Sequence, residues 1–330
     1  MNPHFPTEET VRASLSLASR APSVHNSQPW RWRVGDESLH LYAVRDLQLR
    51  RTDPDGRDLM LSCGTALNHC VLALAALGWQ SKIHRFPNPA DPDHLASVSL
   101  RPSRPTETDI ALAAAIPRRR TDRRLYSSWP VPRGDIALMG ARAARAGTLL
   151  RQIEATESLN AVVARSVREH ATDDAYTREL AEWSGRYAST AGVPARNTPP
   201  SDPAATPPGR LFAGTALAQP PDVAAGTDRG VLVALGTAAD HDIDRLRAGE
   251  ATSTVLLTAT ALGLASCPIT EPLEIAQTRK DLAVDVFGAT AFPQMLLRIG
   301  WASLNADPLP ATPRRPLAET VEWLHGSRSF

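Results

Sequence analysis

The chain has 330 residues, 42% of them hydrophobic and 22% charged, enough to bury one large core or two smaller ones. A formal net charge of +1 excludes a global electrostatic pull on nucleic acid or anionic lipid, so any anion site must be local. No run approaches the ~18 apolar residues needed to cross a bilayer, and the opening MNPHFPTEETVRASL has neither the basic flank nor the apolar stretch of a secretory signal; a cytoplasmic protein with no membrane partner is expected.

Thr7 to Pro22 carries helical periodicity behind a threonine, with acidic residues in the first turn. Pro22 ends that helix. Ser23, His25 and Asn26 then offer hydrogen bonds without bulk, and Gln28 is suited to brace the turn. Trp30 and Trp32 alternate with Arg31 and Arg33 at strand period, so one face of this strand is apolar and the other basic. A partner strand is expected over Leu39 to Ala43, with further strands over Lys82 to Phe86 and Ala96 to Leu100.

Between them, Gly64 to Trp79 is apolar nearly all round, the mark of a helix buried within a core. Cys63, Cys70 and Cys267 are odd in number and match no zinc spacing, and they read as reduced thiols and small core residues. The scattered histidines form no HExxH or clustered pattern, so no metal is expected, and no GxGxxG, Walker A or GxSxG motif is present.

Midway along the chain stands IPRRRTDRRLYSSWPVP, Ile116 to Pro132, with five arginines around Thr121. Two readings remain open on composition alone: a solvated charged face, or an anion site in which guanidinium forks grip phosphate and Thr121 adds a hydroxyl. A helix follows over Pro132 to Gly147. The stretch from Ala188 to Thr227 contains Pro194, Pro199, Pro200, Pro203, Pro207, Pro208, Pro220 and Pro221, which forbids a long helix. It is expected to be an ordered cover, anchored by Leu211 and Phe212. Strands over Gly230 to Leu235 and Met295 to Ile299 flank a second helix, Gly249 to Leu264, again apolar nearly all round.

The two apolar helices overlay without a gap. Gly64 meets Gly249, Ala66 meets Ala251, Leu72 meets Leu257 and Leu77 meets Leu262. One buried helix per half suggests a duplicated unit, each half an α+β arrangement of helices around a small sheet. The halves are expected at residues 1–112 and 113–330, with the insertion near 188–227 in the second.

These segments resemble nitroreductase-family flavoproteins, which carry R-x-[ST]-x-[RK], then P-V-P, a helix and A-P-S-x-x-N-x-Q-P-W. Here the pattern is cut in two: Arg119, Thr121, Arg123 and Pro130-Val131-Pro132 lie in the second half, and Pro22-Ser23, Asn26 and Gln28-Pro29-Trp30 in the first. The resemblance implies a nitroreductase-like fold in which a fused pseudo-dimer, monomeric as a chain, keeps one FMN site assembled from both halves. It implies that Pro22, Ser23, His25, Asn26 and Gln28 serve the flavin ring, that Arg119 with Arg314 or Arg315 neutralises its phosphate, and that Arg123 approaches the pyrimidine edge and stabilises reduced flavin. CPITEP resembles the family's segment over the reactive nitrogen, which brings in Pro268, Thr270 and Glu271. Three departures stand out: Leu125 for an aromatic residue, Thr121 for serine, and Pro272, which has no N–H to donate.

The implied activity is hydride transfer from NAD(P)H through FMN to a nitroaromatic or quinone acceptor, in a ping-pong cycle. The single chain, the run DPDGRDLMLSCG and the proline-rich insert are more narrowly similar to the mycobacterial Acg family. That likeness implies a lid over the flavin and, as an alternative, FMN sequestration without turnover. A nucleic-acid module built on RRRTDRR lacks aromatic interleaving and a basic overall balance.

Overall fold

Helix α1 (Glu8–Ala18) starts where Thr7 Oγ1 accepts the Thr10 N–H and where Glu8 and Glu9 meet the positive end of the helix dipole. In this computed structural model, which describes residues 5–154, 156–187, 189–200 and 210–324, the polar turn leads from α1 into the hairpin β1 (Trp30–Val34) and β2 (Ser38–Ala43). Then follow α2 (Arg57–Ala76), β3 (Trp79–Arg85), β4 (His94–Pro102) and α3 (Glu107–Ala115). The expected boundary between residues 112 and 113 falls inside α3.

The second run begins with α4 (Arg133–Ala144), β5 (Leu149–Ile153), α5 (Glu157–Thr172) and α6 (Asp174–Trp183). Two short strands, β6 (Ser184–Arg186) and β7 (Val193–Pro194), pair with each other before β8 (Val231–Thr237). The run closes with α7 (Asp242–Ala261), β9 (Ala265–Ile269), α8 (Glu271–Glu274), α9 (Ala276–Phe287), β10 (Phe292–Gly300), α10 (Leu317–Thr320) and β11 (Val321–Trp323).

One sheet has the order β11-β1-β2-β4-β3 and the other β5-β8-β10-β9. Without β11 the orders coincide, with β1, β2, β3 and β4 set against β5, β8, β9 and β10, and every one of these pairings is antiparallel. Strand β11 pairs parallel to β1, Trp32 opposite Val321, so the late end of the chain completes the first sheet.

Helices α2 and α7 occupy matching places in the two series and cross at the overlaid glycines. A Cβ on Gly64 would lie 2.9 Å from Gly249 Cα and 2.1 Å from Leu246 O, and one on Gly249 would lie 2.2 Å from Leu61 O. Only hydrogen fits at either position. Three residues before each glycine, the helices exchange leucines: Leu61 of α2 packs in the core of the second sheet, and Leu246 of α7 in that of the first. This mutual burial explains why neither helix shows a polar face in its sequence. By length and composition α2 could cross a bilayer, yet 72% of its most apolar window is buried inside the protein.

Trp30 and Trp32 are buried in the first core, as their alternation predicts. The cysteines are buried free thiols, and burial pushes those of Cys63 and Cys70 up. Helix α2 starts seven residues earlier than its apolar run, at Arg57, because the Asp53 carboxylate accepts the Asp58 and Leu59 N–H groups at 2.9 and 2.8 Å. In the proline-rich stretch the described residues form only short 3₁₀ turns, at Ala195–Asn197 and Ala225–Thr227, beside β7. Ala188 and residues 201–209, with Pro203, Pro207 and Pro208, lie outside the described residues.

Candidate functional site

Between α1 and β1, His25, Asn26 and Gln28 all adopt left-handed backbone, with φ of 43°, 56° and 52°. Each such residue costs roughly 1–3 kcal/mol and persists only where its surroundings over-determine it. Those surroundings are explicit. Thr65 Oγ1 donates to Pro22 O at 2.6 Å, Val24 N to Ser62 Oγ at 3.1 Å, and Gln28 N to Ser23 Oγ at 2.9 Å. Asn26 Nδ2 donates to Gly192 O and Pro313 O, both at 3.1 Å. Gln28 Nε2 donates to Thr190 O at 2.8 Å, while its Oε1 accepts the Arg315 N–H at 2.9 Å. Asn26 and Gln28 thus lock the turn to the insertion and to the late chain, and Arg315 contributes its backbone.

In front of the turn lies a cavity of about 710 Å³, within the roughly 300–1,000 Å³ typical of cofactor pockets. Pro22, Ser23 and His25 border it on one side, and Thr121 and Arg123 on the other. Pro268, Thr270 and Glu271 form a third wall, at the end of β9 and the start of α8. Leu61, Leu125, Leu256 and Met295 supply apolar surface. From the insertion, Val193, Pro199, Pro200, Arg210 and Phe212 line it as well.

Two titratable side chains shape this cavity. Both ring nitrogens of His25 are buried without a partner, and burial, reinforced by Arg210 and Arg123, lowers its pKa well below the ordinary value, so the ring is neutral. Arg123 donates from Nη1 to Asn197 O at 3.0 Å and lies 5.0 Å over the Phe212 ring, and burial lowers its pKa.

Arg119 faces a small adjoining cavity of about 20 Å³, which it lines with Arg20, Arg120 and Arg314. Its Nη1 donates to Thr121 Oγ1 at 3.4 Å, linking this pocket to the large one. Burial, followed by the neighbouring guanidiniums, pushes Arg119 down to about 10 and Arg314 down to about 9, and the Nε of each is buried without a partner. Arginine does not deprotonate in water near neutrality, so both lowerings reflect guanidiniums held out of water beside other positive charges, with no carboxylate paired to either among the described residues. Arg314 also donates from Nη2 to Arg20 O and Ala21 O, both at 3.1 Å, which pins the late chain to the end of α1.

The five-arginine run therefore divides. Arg118 is exposed and donates to Ala114 O, and Arg124 is spent on a buried pair with Asp122 at 2.8 Å. Arg119, Arg120 and Arg123 turn inward to the two cavities. Of the expected site residues, Pro22, Ser23, His25, Thr121, Arg123, Pro268, Thr270 and Glu271 share the large cavity, and Arg119 and Arg314 share the small one. Asn26, Gln28 and Arg315 line neither.

Sequence reading missed Asp58, Ser62 and Thr65 of α2, which also line the large cavity. Their spacing of four and three residues puts them on one stripe of an otherwise apolar helix, a signal present in the sequence. Arg20 and Arg210 carried no such signal. Arg210 reaches the site through tertiary structure, donating from Nη1 to Thr270 Oγ1 at 2.9 Å and from Nη2 to Tyr176 OH at 2.8 Å, and pairing with Glu274.

The chain belongs to the nitroreductase family, whose model matches residues 116–301. It is 64% identical over 323 residues to the Mycobacterium tuberculosis H37Rv protein named "Putative NAD(P)H nitroreductase Rv3131", spanning 98% of this chain and 94% of that one. It is 36% identical over 322 residues to "Putative NAD(P)H nitroreductase acg" of the same strain, spanning 95% of both. Among solved structures, a nitroreductase with bound FMN from Bacteroides fragilis aligns with 59% of this chain and 90% of its own, at 16% identity and a TM-score of 0.39.

Proposed function

We propose that this protein binds one FMN between its two halves and uses it as an NAD(P)H-dependent oxidoreductase. The observation that carries the reading is the meeting of the early polar turn and the midchain arginine segment at one cavity, with an unbalanced cationic pocket at its edge. The residues fit the cofactor chemically. Arg119 and Arg314 have buried donors without partners for a phosphate, and His25, Ser23 and Arg123 offer polar atoms to the edge of a flat ring with apolar faces. Pro268, Thr270 and Glu271 wall the cavity from the opposite half.

FMN supplies hydride acceptance and donation when bound. The chain's own part is to neutralise the phosphate, to hold cationic Arg123 where reduced flavin carries negative charge, and to keep water out beneath Phe212 and the prolines. NAD(P)H as donor follows the names of the relatives. Nitroaromatic or quinone acceptors, taken in a ping-pong cycle, suit an aromatic-sized space with neutral His25 and cationic Arg123 at its border.

The chain acts in this reading as a monomer, an internal pseudo-dimer supported by the matched strand orders, the glycine crossing and the exchanged leucines. Its buried thiols suit a reducing compartment such as the cytoplasm. Residues 189–200 and 210–227 act as the cover. Their grip on Arg123 through Asn197 and Phe212 favours a second reading, FMN storage beneath a closed lid.

One experiment separates the readings. Purified protein incubated with FMN and desalted should be yellow, and anaerobic mixing with NADPH or NADH should bleach the flavin within seconds. Flavin that stays oxidised for hours, yet is reduced by dithionite, assigns storage. Colourless protein overturns both.

A further inference from the structure

Among the described residues three carboxylates line the large cavity, Asp58, Asp228 and Glu271, and they are not equivalent. Asp58 is paired with Arg57 and Asp228 with Arg298. Glu271 is instead bonded to a histidine: its Oε1 lies 3.1 Å from His170 Nδ1, both side chains being buried. An imidazole can pass a proton to a carboxyl partner and accept one back, which a guanidinium does not.

The surroundings fix this pair, and Arg210 acts on Glu271 through space while its hydrogen bonds go to Thr270, Tyr176 and Glu274. The Tyr176 ring of α6 stacks on His170 at 3.8 Å and 4°. The Tyr176 hydroxyl is taken by Arg210, whose charge is balanced by Glu274 of α8. Asp173 ends α5 and directs its carboxylate to the Ala175 and Tyr176 N–H groups. On the cavity side His25, which burial keeps neutral, also interacts electrostatically with His170. Glu271 Oε2 and His170 Nε2 have no hydrogen-bond partner among the described residues, and neither counts among the occluded polar atoms. The pair thus joins a carboxyl of the cavity wall to a buried imidazole of α5.

We propose that Glu271 donates a proton to the acceptor reduced in this cavity and that His170 reloads it from solvent. This rests on the flavin reading above. Converting R–NO2 to R–NO and water takes two electrons and two protons; hydride brings both electrons and one proton, and the second must come from elsewhere. The Glu271 O–H bond breaks as an O–H bond of the departing water forms. The carboxylate left behind recovers a proton from His170 Nδ1, and His170 takes one from water at Nε2. A quinone needs the same single proton beside hydride to become a quinol. Glu271 is thus a catalytic residue, and His170 a positioning and relay residue.

The test uses FMN-loaded protein, photoreduced anaerobically and then mixed with either a benzoquinone, which needs protons, or ferricyanide, which takes electrons alone. Glu271→Gln should slow reoxidation by the quinone at least tenfold while ferricyanide stays within twofold of wild type. His170→Ala should show the same split, and added imidazole should restore the quinone rate. Infrared difference spectra recorded on acidifying the oxidised protein should lose one carboxyl band in Glu271→Gln and shift it in His170→Ala. Equal slowing by both acceptors, or unchanged rates and spectra in a yellow Glu271→Gln protein, overturns the proton path. Colourless protein instead overturns the flavin reading beneath it.

Discussion

At Arg119 and Arg314 the protein holds positive charge that the described neighbours increase, since Arg20 and Arg120 stand in the same small pocket. Such an arrangement is unfavourable until an anion enters, and that sets opposite signs for two measurements on one variant. In cofactor-free protein Arg119→Gln should raise the thermal midpoint, because like-charge repulsion is relieved. Its FMN affinity should fall roughly tenfold to a hundredfold, the loss of one charge-assisted hydrogen bond of about 1.5–3 kcal/mol. Equilibrium dialysis and thermal melts check both, and FMN binding as tight as wild type would remove Arg119 from the phosphate. At this scale the sequence was informative where a residue type had a reason to be local. Ser23, Thr121 and Arg123 stand out as small or cationic groups within turns and do reach the cavity. Asn26 and Gln28 look identical to them in the sequence, yet their amides are consumed in holding left-handed backbone. Nothing in the chain order distinguishes a contacting side chain from a bracing one.

Elements were legible in proportion to how much of their environment is encoded nearby. The apolar circumference of α2 and α7 announces burial on every side, and both helices meet that description. Strand β9 was missed because it carries Pro268, a residue that argues against a strand unless the strand lies at a sheet edge, where β9 sits. Strands β5 and β11 are short, and β11 exists only because β1 offers it an open edge. The crossing of α2 and α7 makes a sharp prediction. Gly249→Ala places a methyl group against Leu61 O and Gly64 Cα, both backbone atoms that cannot swing aside. The helices must separate, at a cost of about 3 kcal/mol or more, the upper range for overpacking. Asp58, Ser62 and Thr65 ride on α2, so flavin binding should weaken in step. Gly134→Ala in α4 is the control, since nothing lies within 4 Å of its added methyl; denaturant unfolding should show it neutral or slightly stabilised. Equal effects of the two substitutions would mean that the helix crossing is looser than it looks.

Across the whole molecule the two larger sheets are interlocked. They share a helix pair, each buries a leucine of the other, and β11 joins the first sheet after the chain has passed through the second. The strand orders repeat, but the functional groups do not: the polar turn follows α1 and has no counterpart after α4, where Gly147 and Thr148 lead into β5. The single occurrence of the turn is visible in the sequence, whereas the shared core is not, because it depends on which faces meet. A cut at exposed Pro117, just past α3, separates the turn from the arginine segment without breaking a helix or strand. Residues 1–117 alone would leave α2 without α7 and the β1 edge without β11. Residues 118–330 alone would expose the α7 face that receives α2. Burial of apolar surface on both sides of the crossing is the main stabilising term, so neither piece should fold cooperatively by itself. Produced together, they should copurify in equal amounts and bind one FMN per pair. Size-exclusion chromatography with the flavin absorbance read on the same peak measures this directly. Flavin bound by residues 118–330 in isolation would show that the early turn is dispensable, and the shared site would have to be abandoned.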